Sequence, residues 1–317
     1  MKYLDTLLEK YQIRKTKDQK TAFLSWAQEE IQKMGYECRV EEYEKDMFKC
    51  RNLIVGNPEE AKVIYTAHYD TQPVMPLPNM VFPKNTLATL GAQLPIMLIM
   101  VVLCFAGVFT VNRLVPADTM LSFFLTEGWL MLSIVIFLGL LFFGPANKHT
   151  ANDNTSGTAC LMEMMSQLPE DERKHAAFIF FDQEEKGKVG SLEFAKKYPE
   201  IKKNGYIMNL DCIGDGKHML IVAPKKTPDD ELTALEQLFQ SRDGFIAEAA
   251  TAKHASYNSD QRSFSRGYAI AALHLHPQFG LHLKRIHTKR DTICEKANLQ
   301  FVIDGCLKLL KQKAEEN

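Results

Sequence analysis

The sequence predicts an α/β fold: a single domain with a mostly parallel sheet flanked by helices, interrupted by a hairpin of two transmembrane helices. Strand-like runs alternate with helical patterns outside residues 72–147, which is typical of helices packed on both faces of a parallel sheet. Residues 85–112 and 128–147 contain no charged residue. We therefore expect residues 1–71 and 148–317 to form one domain, with residues 72–147 as an inserted hairpin.

The elements of the predicted domain follow from local periodicity. Residues 1–35 have helical periodicity, clearest at Phe23, Trp26, Ala27 and Ile31. Residues 40–54 and 62–68 are typical of strands, separated by a turn at Pro58. Further helices are predicted at residues 155–168, 191–198, 231–239 and 299–312, and further strands at residues 176–181, 206–210, 219–222 and 269–275.

The two uncharged runs are predicted to cross a membrane. As a helix, residues 94–111 would span roughly 27 Å, close to the thickness of a bilayer's hydrocarbon core. Trp129 stands near one end of the second run, where an aromatic ring anchors a helix at the interface. The alternative is a pair of buried core helices, but neither run has the polar face that such a helix usually shows.

Composition and charge bear on compartment and partners. The net charge of −1 produces no field that would attract nucleic acid, so no such partner is expected. Seven scattered cysteines indicate free thiols in a reducing compartment. Lys84 and Lys148 flank the hairpin on the side of the main domain, against Arg113 in the connector. We therefore expect an integral two-pass membrane protein with its main domain in the cytoplasm; the sequence gives no oligomeric state.

Five residues of ligand type lie at predicted strand ends, in a loop or at a helix start. They are His68, Asp153, Glu185, Asp211 and His287. Ligands of α/β sheets gather beyond the carboxyl ends of the strands. Together these five could hold two divalent ions if one carboxylate bridged them, which is the composition of a co-catalytic zinc site. Singly, each also has a structural explanation, such as a helix cap at Asp153 or a core histidine at His68.

Neighbouring residues could complete such a site. Asp70 shares a strand face with His68 and can accept the second N–H of its imidazole. Glu184, adjacent to Glu185, must point a different way and can remain free as a proton carrier. A separate group, His274, His276 and His282, is assigned to strand and loop packing, because no carboxylate lies among them in the sequence.

Six motifs occur in a characteristic order along the chain. They are HYD at 68–70, NDNTSG at 152–157, DQEE at 182–185 with GS at 190–191, NLDCIG at 209–214, YNSD at 257–260, and IHT at 286–288 with DT at 291–292. In these motifs the chain resembles the di-zinc, co-catalytic aminopeptidase family, which includes bacterial leucyl aminopeptidase, glutamate carboxypeptidase, glutaminyl cyclase and the transferrin receptor ectodomain. The resemblance covers nearly the whole chain outside residues 72–147.

The resemblance implies a role for each candidate ligand. Asp153 would bridge two Zn²⁺ ions, with Co²⁺ or Mn²⁺ as alternatives. His68 and Asp211 would complete one site, and Glu185 and His287 the other.

The resemblance also implies catalytic roles and exposes two departures. Glu184 would be the general base, and Tyr257 would donate to the oxyanion of the tetrahedral intermediate. Gln261 stands where many members have histidine, so the residue expected at this point of the pocket wall differs from that of many members. The separation of His68 from Asp153 is much longer than is usual in the family, and the hairpin occupies it.

The expected function is that of a membrane-anchored di-zinc metallopeptidase, an aminopeptidase that removes N-terminal residues by means of a metal-activated water. Its expected partners are the lipid bilayer and peptide substrates, including apolar or membrane-derived ones. A related amide hydrolase, a carboxypeptidase or a cyclase on the same scaffold is an alternative. A non-catalytic receptor or scaffold is another, although such a protein would be marked by lost ligands, and this chain keeps all five.

Overall fold

The computed structural model describes residues 1–45, 48–75, 77 and 79–316. The helices are α1 (Lys2–Lys10), α2 (Lys17–Lys33), α3 (Thr86–Leu114), α4 (Met120–Phe143), α5 (Gly157–Gln167), α6 (Val189–Lys197), α7 (Pro199–Asn204), α8 (Asp229–Leu238) and α9 (Lys296–Glu315). The strands are β1 (Cys38–Lys45), β2 (Phe48–Val55), β3 (Val63–His68), β4 (Ala176–Phe181), β5 (Ile207–Leu210), β6 (His218–Ala223), β7 (Ile246–Thr251), β8 (Gly267–His276) and β9 (Gly280–His282).

The described strands form one sheet in the order β1-β2-β4-β3-β5-β8-β6-β7, with β9 paired to β8. The centre is parallel, because β3 pairs in parallel with β4 and β5, and β5 pairs in parallel with β8. Antiparallel pairs join β1 to β2, β2 to β4 and β6 to β8. The predicted α/β class is confirmed, and the carboxyl ends of β3, β4, β5 and β8 meet at one edge.

Helices cover both faces of the sheet, so β3 and β4 are buried along their whole length. Alternation along β3 shows the two layers. Val63 and Tyr65 pack in the larger apolar cluster, which includes side chains of α1, α2, α5 and α9. Ile64 faces the opposite layer, where it joins Phe194 of α6 and Ile201 of α7.

The helical pattern over residues 1–35 resolves into two helices. Thr16 begins α2 with a capping box, in which its side chain accepts from the Gln19 backbone and the Gln19 side chain accepts from the Thr16 backbone. The break between the helices carries Arg14, which is fully buried. Its Nε donates to the carbonyl oxygen of Tyr69 at 2.5 Å, and its Nη2 donates to the hydroxyl of Thr155 at 3.1 Å. Arg14 therefore joins the segment that follows β3 to the segment that precedes α5, and both segments carry residues of the candidate site.

Strands β7 and β9 and helix α7 were not predicted. β7 has the sequence IAEAAT, in which alanines replace the β-branched and aromatic residues that mark most strands. β9 has only three residues, too few for a periodic signal. Both owe their strand conformation to their partners, β6 and β8.

Helices α3 and α4 have the length and apolar composition needed to cross a membrane. Within them Gly107 and Ser122 are the buried residues, and large side chains such as Phe105 and Val135 are mostly exposed, at 71% and 64%. The two helices contact each other, and Trp129 Nε1 donates to the carbonyl oxygen of Leu103 at 3.1 Å. This exposure contradicts the alternative of two buried core helices.

Candidate metal centre

The predicted ligands lie together at the carboxyl edge of the parallel strands. His68 ends β3, and Asp211 directly follows β5. Asp153 lies in the turn that precedes α5, Glu185 in a 3-10 turn after β4, and His287 in the loop after β9. This is the edge at which open α/β sheets bind ligands.

The two carboxylate oxygens of Asp153 face different histidines. Oδ1 lies 3.4 Å from Nε2 of His68, and Oδ2 lies 3.0 Å from Nε2 of His287. Asp211 Oδ1 is 3.7 Å from the same His68 nitrogen, and Glu185 Oε2 is 3.5 Å from that of His287. The ligand atoms thus form two groups that share Asp153, each with its atoms within 4.8 Å of one another.

The turn that carries Asp153 is held by backbone contacts. The carboxylate of Asp291 accepts from the backbone N–H groups of Asn152 and Asp153, at 2.8 and 3.0 Å. Burial raises the pKa of Asp291 to about 8, and the charge of Asp153 adds to the rise. Asn154 Nδ2 donates to the carbonyl oxygen of Leu210 at 2.9 Å, which ties the turn to the end of β5.

Asp70 contacts both His68 and the turn that carries the two glutamates. Its Oδ1 is 3.5 Å from Nδ1 of His68, and that nitrogen also lies 3.1 Å from the Asp70 carbonyl oxygen. The carboxylate accepts from the backbone N–H groups of Glu184 at 3.0 Å and Glu185 at 3.3 Å. Burial acts to raise the pKa of Asp70, but His68 and these surroundings hold it below its ordinary value.

Negative charge is concentrated in this buried cluster. Desolvation raises the pKa of Glu184 well above its usual range, and the nearby Asp260 and Asp211 add to the rise. The pKa of Glu185 is raised by desolvation and then by the charges of Asp153 and Glu184. Burial acts to lower the pKa of His68, yet hydrogen bonds to carboxylates hold it well above its ordinary value. A bound cation would relieve this repulsion.

The residues present fit zinc. Imidazoles and carboxylates are donors that zinc accepts. Asp211 Oδ1 is buried and has no hydrogen-bond partner among the described residues, although buried polar atoms normally have one. A cation at the His68 group would satisfy this oxygen.

Tyr257 lines the cavity beside Asp211, and its hydroxyl donates to the Asp211 carbonyl oxygen at 3.2 Å. Gln261 lies behind Tyr257, where its Nε2 donates to the Tyr257 carbonyl oxygen at 2.9 Å. Gln261, at which the chain departs from the family, therefore supports Tyr257 from behind. It is not among the residues that line the cavity of the metal cluster.

Two residues of the site, Asp260 and Gln72, were not predicted from the sequence. Asp260 is fully buried and both its carboxylate oxygens lack a partner among the described residues, and burial raises its pKa to about 7. In the amide orientation that gives both atoms a partner, the nitrogen of Gln72 donates to Glu185 Oε1 at 2.7 Å and its oxygen accepts from the backbone N–H of His287 at 3.3 Å. The place of Asp260 in the YNSD motif was the available signal. Nothing in the sequence marks Gln72.

The cluster opens into a cavity of about 290 Å³. Val81, Leu283 and Ile286 form an apolar part of its wall. Lys188 and Asn258 form a polar part, in which Lys188 Nζ donates to the Asn258 side-chain oxygen at 3.0 Å. Because Val81 belongs to the segment between β3 and α3, the region predicted as an insertion contributes to the cavity wall.

The three clustered histidines outside the site have other contacts. His274 Nε2 lies 2.9 Å from Asp215 Oδ1, so the structure brings a carboxylate to this group that the sequence order did not show. His282 stacks on Phe82, and His276 stacks on Phe279. These contacts agree with the expected strand and loop packing.

A comparison with known protein families identifies the family of this chain. Residues 138–309 match the model of Peptidase family M28, and because this is more than half of the chain, the chain belongs to that family. It is a zinc metallopeptidase-type hydrolase that acts on peptides. Comparison with curated protein sequences gave no match.

Solved structures share the fold at low sequence identity. A Zn-dependent exopeptidase from Parabacteroides distasonis aligns with a TM-score of 0.61 and 15% identity, over 97% of this chain and 95% of that one. The glutaminyl cyclase of Porphyromonas gingivalis aligns with the same TM-score and identity, over 98% and 96%. The LapA aminopeptidase of Legionella pneumophila aligns with a TM-score of 0.57 and 13% identity, over 100% and 69%.

Proposed function

We propose that this chain is a membrane-anchored di-zinc aminopeptidase that removes N-terminal residues from peptides. The observation that carries the proposal is the position of Asp153, whose two oxygens face two separate groups of ligands. His68 and Asp211 would hold one ion with Asp153, and Glu185 and His287 would hold the second.

Zinc bound there would polarise the scissile carbonyl and lower the pKa of a water molecule to about 7. Glu184 would accept a proton from the attacking water and return it to the leaving amine. Glu184 is not one of the five proposed ligands, so its carboxylate stays free to accept and return a proton. Asp70 keeps His68 and the Glu184 backbone in place through the contacts described above. The Tyr257 hydroxyl lies at the cavity wall and would turn from the Asp211 carbonyl oxygen to donate to the developing oxyanion.

Two features support action at a chain terminus. The cavity volume of about 290 Å³ suits one or two residues of a substrate better than a continuous chain. Relatives in fold include proteins named as an exopeptidase and an aminopeptidase. The apolar wall at Val81, Leu283 and Ile286 favours an apolar terminal side chain.

In this proposal α3 and α4 cross the bilayer, and both termini and the metal centre face the cytosol. Cysteine accessibility in intact cells tests the orientation. Ser241→Cys, on the exposed side of the main domain, should resist an impermeant thiol reagent, and Ala117→Cys, between α3 and α4, should react. Labelling at position 241 with none at position 117 would reverse the orientation.

The segment that precedes α3 supports a role in substrate entry. Asn79 and Val81 line the cavity, and Gln93 of α3 donates to the Asn79 side-chain oxygen at 2.7 Å. An apolar or membrane-derived peptide that approaches along the lipid surface would meet this segment first.

A substrate screen tests the proposed activity against its alternatives. Detergent-purified protein should release the reporter from aminoacyl substrates in the presence of zinc or cobalt, and should not act on N-blocked or C-terminal reporters. Cyclisation of peptides with N-terminal glutamine would favour a cyclase, a reaction named for one relative in fold. Release from the C-terminal reporter would favour a carboxypeptidase, and zinc binding without any turnover would favour a receptor or scaffold.

A further inference from the structure

We propose that the turn between β8 and β9 is a second membrane contact, seated in the headgroup region of the bilayer beside the start of α3. The inference rests on the proposed membrane crossing of α3 and α4. It goes beyond that crossing because it assigns a lipid contact to the catalytic domain itself.

Exposed large apolar side chains are scarce on the described part of the catalytic domain. They are Leu192, Ile246, Leu275 and Phe279, with exposures of 37%, 48%, 62% and 46%. The remaining side chains of this kind lie on α3 and α4. Leu275 is the most exposed of the four, and it stands with Phe279 at the tip of the β8–β9 hairpin.

The sheet topology places three of these residues at one edge. β8 is parallel to β5, so its carboxyl end lies on the same side as the metal centre. Leu273 of β8 pairs with His218 of β6, which in turn pairs with Ile246 of β7. The edge of the sheet at which the chain leaves β3 towards α3 therefore also carries Ile246, Leu275 and Phe279.

Direct contacts join the turn to the start of α3. The Phe82 ring stacks on His282 at 5.2 Å and meets Phe279 edge-on at 5.9 Å. Leu283 donates its backbone N–H to the Val81 carbonyl oxygen at 2.9 Å. Only a few residues separate Phe82 from Thr86, where α3 begins, and an extended chain advances at most about 3.6 Å per residue. The first exposed leucine of α3, Leu87, is 81% exposed.

These contacts limit where the surface of the bilayer can lie relative to the catalytic domain. If α3 enters the hydrocarbon within its first turns, the polar layer at the bilayer surface must lie beside Phe82, and Phe279 is in contact with that ring. Residues 277–279, between the two strands, carry no charge. An aromatic side chain on an uncharged turn is well suited to the membrane–water interface.

The contact has a consequence for the metal centre. The hydrogen bonds of the hairpin root already join it to the catalytic domain, and a lipid contact at the β8–β9 turn would further restrain rotation of the domain against the bilayer. The cavity then holds one orientation to the lipid surface, which suits substrates that arrive along it.

Lipid quenching of tryptophan fluorescence tests the proposal in the full chain. Phe279→Trp is made in a Trp129→Phe background and reconstituted in phosphatidylcholine nanodiscs that contain no brominated lipid, lipid brominated near the glycerol end of the chains (shallow), or lipid brominated near their methyl end (deep). Trp26 is common to all variants, and its signal is subtracted. Leu192→Trp, exposed on α6, is the control for the aqueous surface, and Phe105→Trp in α3 is the control for the hydrocarbon. Thermal melts followed by circular dichroism verify that each variant folds.

We expect Phe279→Trp to be quenched several-fold more than Leu192→Trp, and more by shallow than by deep bromine. Quenching of Phe105→Trp together with no difference between positions 279 and 192 would overturn the inference and leave the membrane crossing intact. Absence of quenching at position 105 would overturn both. If Phe279→Trp does not fold, Leu275→Trp, near the end of β8 and beside the turn, replaces it, and quenching no greater than that of Leu192→Trp would overturn the inference.

Discussion

The backbone N–H of Met75 donates to the carbonyl oxygen of His287 at 2.7 Å. The segment that leads into α3 is thereby bonded to a candidate metal ligand. The returning segment makes a similar contact, since Asn147 Nδ2 donates to the carbonyl oxygen of Thr288 at 3.0 Å. His287 itself has a φ of +63°, a conformation that a non-glycine residue adopts only when its surroundings hold it there. The root of the hairpin is part of those surroundings.

The first prediction separates the two adjacent glutamates. Glu184→Gln should keep its zinc and lose roughly 10²- to 10⁴-fold in kcat, because a general base is removed without a change in the proposed ligand set. Glu185→Gln is the matched variant and should lose zinc. Metal content by mass spectrometry and turnover on an aminoacyl reporter are measured on the same samples. Near-normal turnover of fully loaded Glu184→Gln would remove this residue from its role.

The second prediction concerns the shared carboxylate. Asp153→Ala should lower the affinity for both ions, because its oxygens face both histidines. Asp211→Ala should lower the affinity of the His68 group alone. Equilibrium dialysis against a zinc buffer gives the stoichiometry of each variant. Two ions retained by Asp153→Ala would place the bridge elsewhere.

The third prediction concerns Gln72, whose side-chain amide contacts both Glu185 and His287. Gln72→Ala should weaken the second zinc site by roughly 10- to 100-fold, as expected when a group that orients ligands is lost. The first site should be unchanged. Gln93→Ala removes a glutamine from the same hairpin, one that bonds to Asn79 instead, and serves as the control. Equal weakening of both sites by Gln72→Ala would indicate a general loss of structure.

Most of the central fold could be predicted from the sequence because its strands are strongly apolar. β4 consists of the residues predicted, and β3 differs from the prediction by one residue at its start. The marginal elements could not be predicted in this way. β7 is a strand because Ala247 and its neighbours pair with β6, and the break before α2 depends on the cap at Thr16 and on the buried Arg14. Such tertiary contacts leave little local signal.

The residues of the candidate site also divide into those that the sequence predicts and those that depend on tertiary contacts. The five proposed ligands could be grouped from the sequence because most of these carboxylates and imidazoles follow predicted strands, and the structure brings all five together. Gln72 could not be found, because it acts through contacts with residues far away in the sequence. Asp260 gave no sign of its isolation, since an unpaired buried carboxyl is a property of its surroundings.

The fourth prediction concerns the pH dependence of stability in the zinc-free protein. Burial raises the pKa of Asp260 from 3.8 to about 7. Between these values the folded state holds a proton that the unfolded chain releases, so the free energy of unfolding should fall as the pH rises through this window. Asp260→Asn should remove the share of this fall that Asp260 contributes, leave the shares of Asp291 and the two glutamates, and be the more stable protein at pH 8. Urea unfolding at pH 5 and pH 8 measures the difference, with the exposed Asp171→Asn as control. An unchanged pH dependence in Asp260→Asn would contradict the prediction.

The last prediction asks whether the hairpin only anchors the protein or also shapes substrate entry. Two replacements by a short flexible linker separate the possibilities. Removal of residues 86–143 takes away the helices and leaves Val81 in the cavity wall, whereas removal of residues 76–146 takes away both. Both variants keep Met75 and Asn147. The contacts of Met75 with His287 and of Asn147 with Thr288 can therefore form in both.

If the segment before α3 shapes entry, the longer removal should lower kcat/KM selectively for apolar peptides, while a small aminoacyl reporter is still cleaved. The shorter removal should leave the ratio of the two substrates unchanged in detergent. If the hairpin is only an anchor, both variants should keep the ratio of the intact protein. Zinc content and thermal melts establish that each variant is folded, because the mechanism requires an intact metal centre. An equal fall in activity on both substrates, in loaded and folded protein, would count against a role of this segment in selecting the substrate.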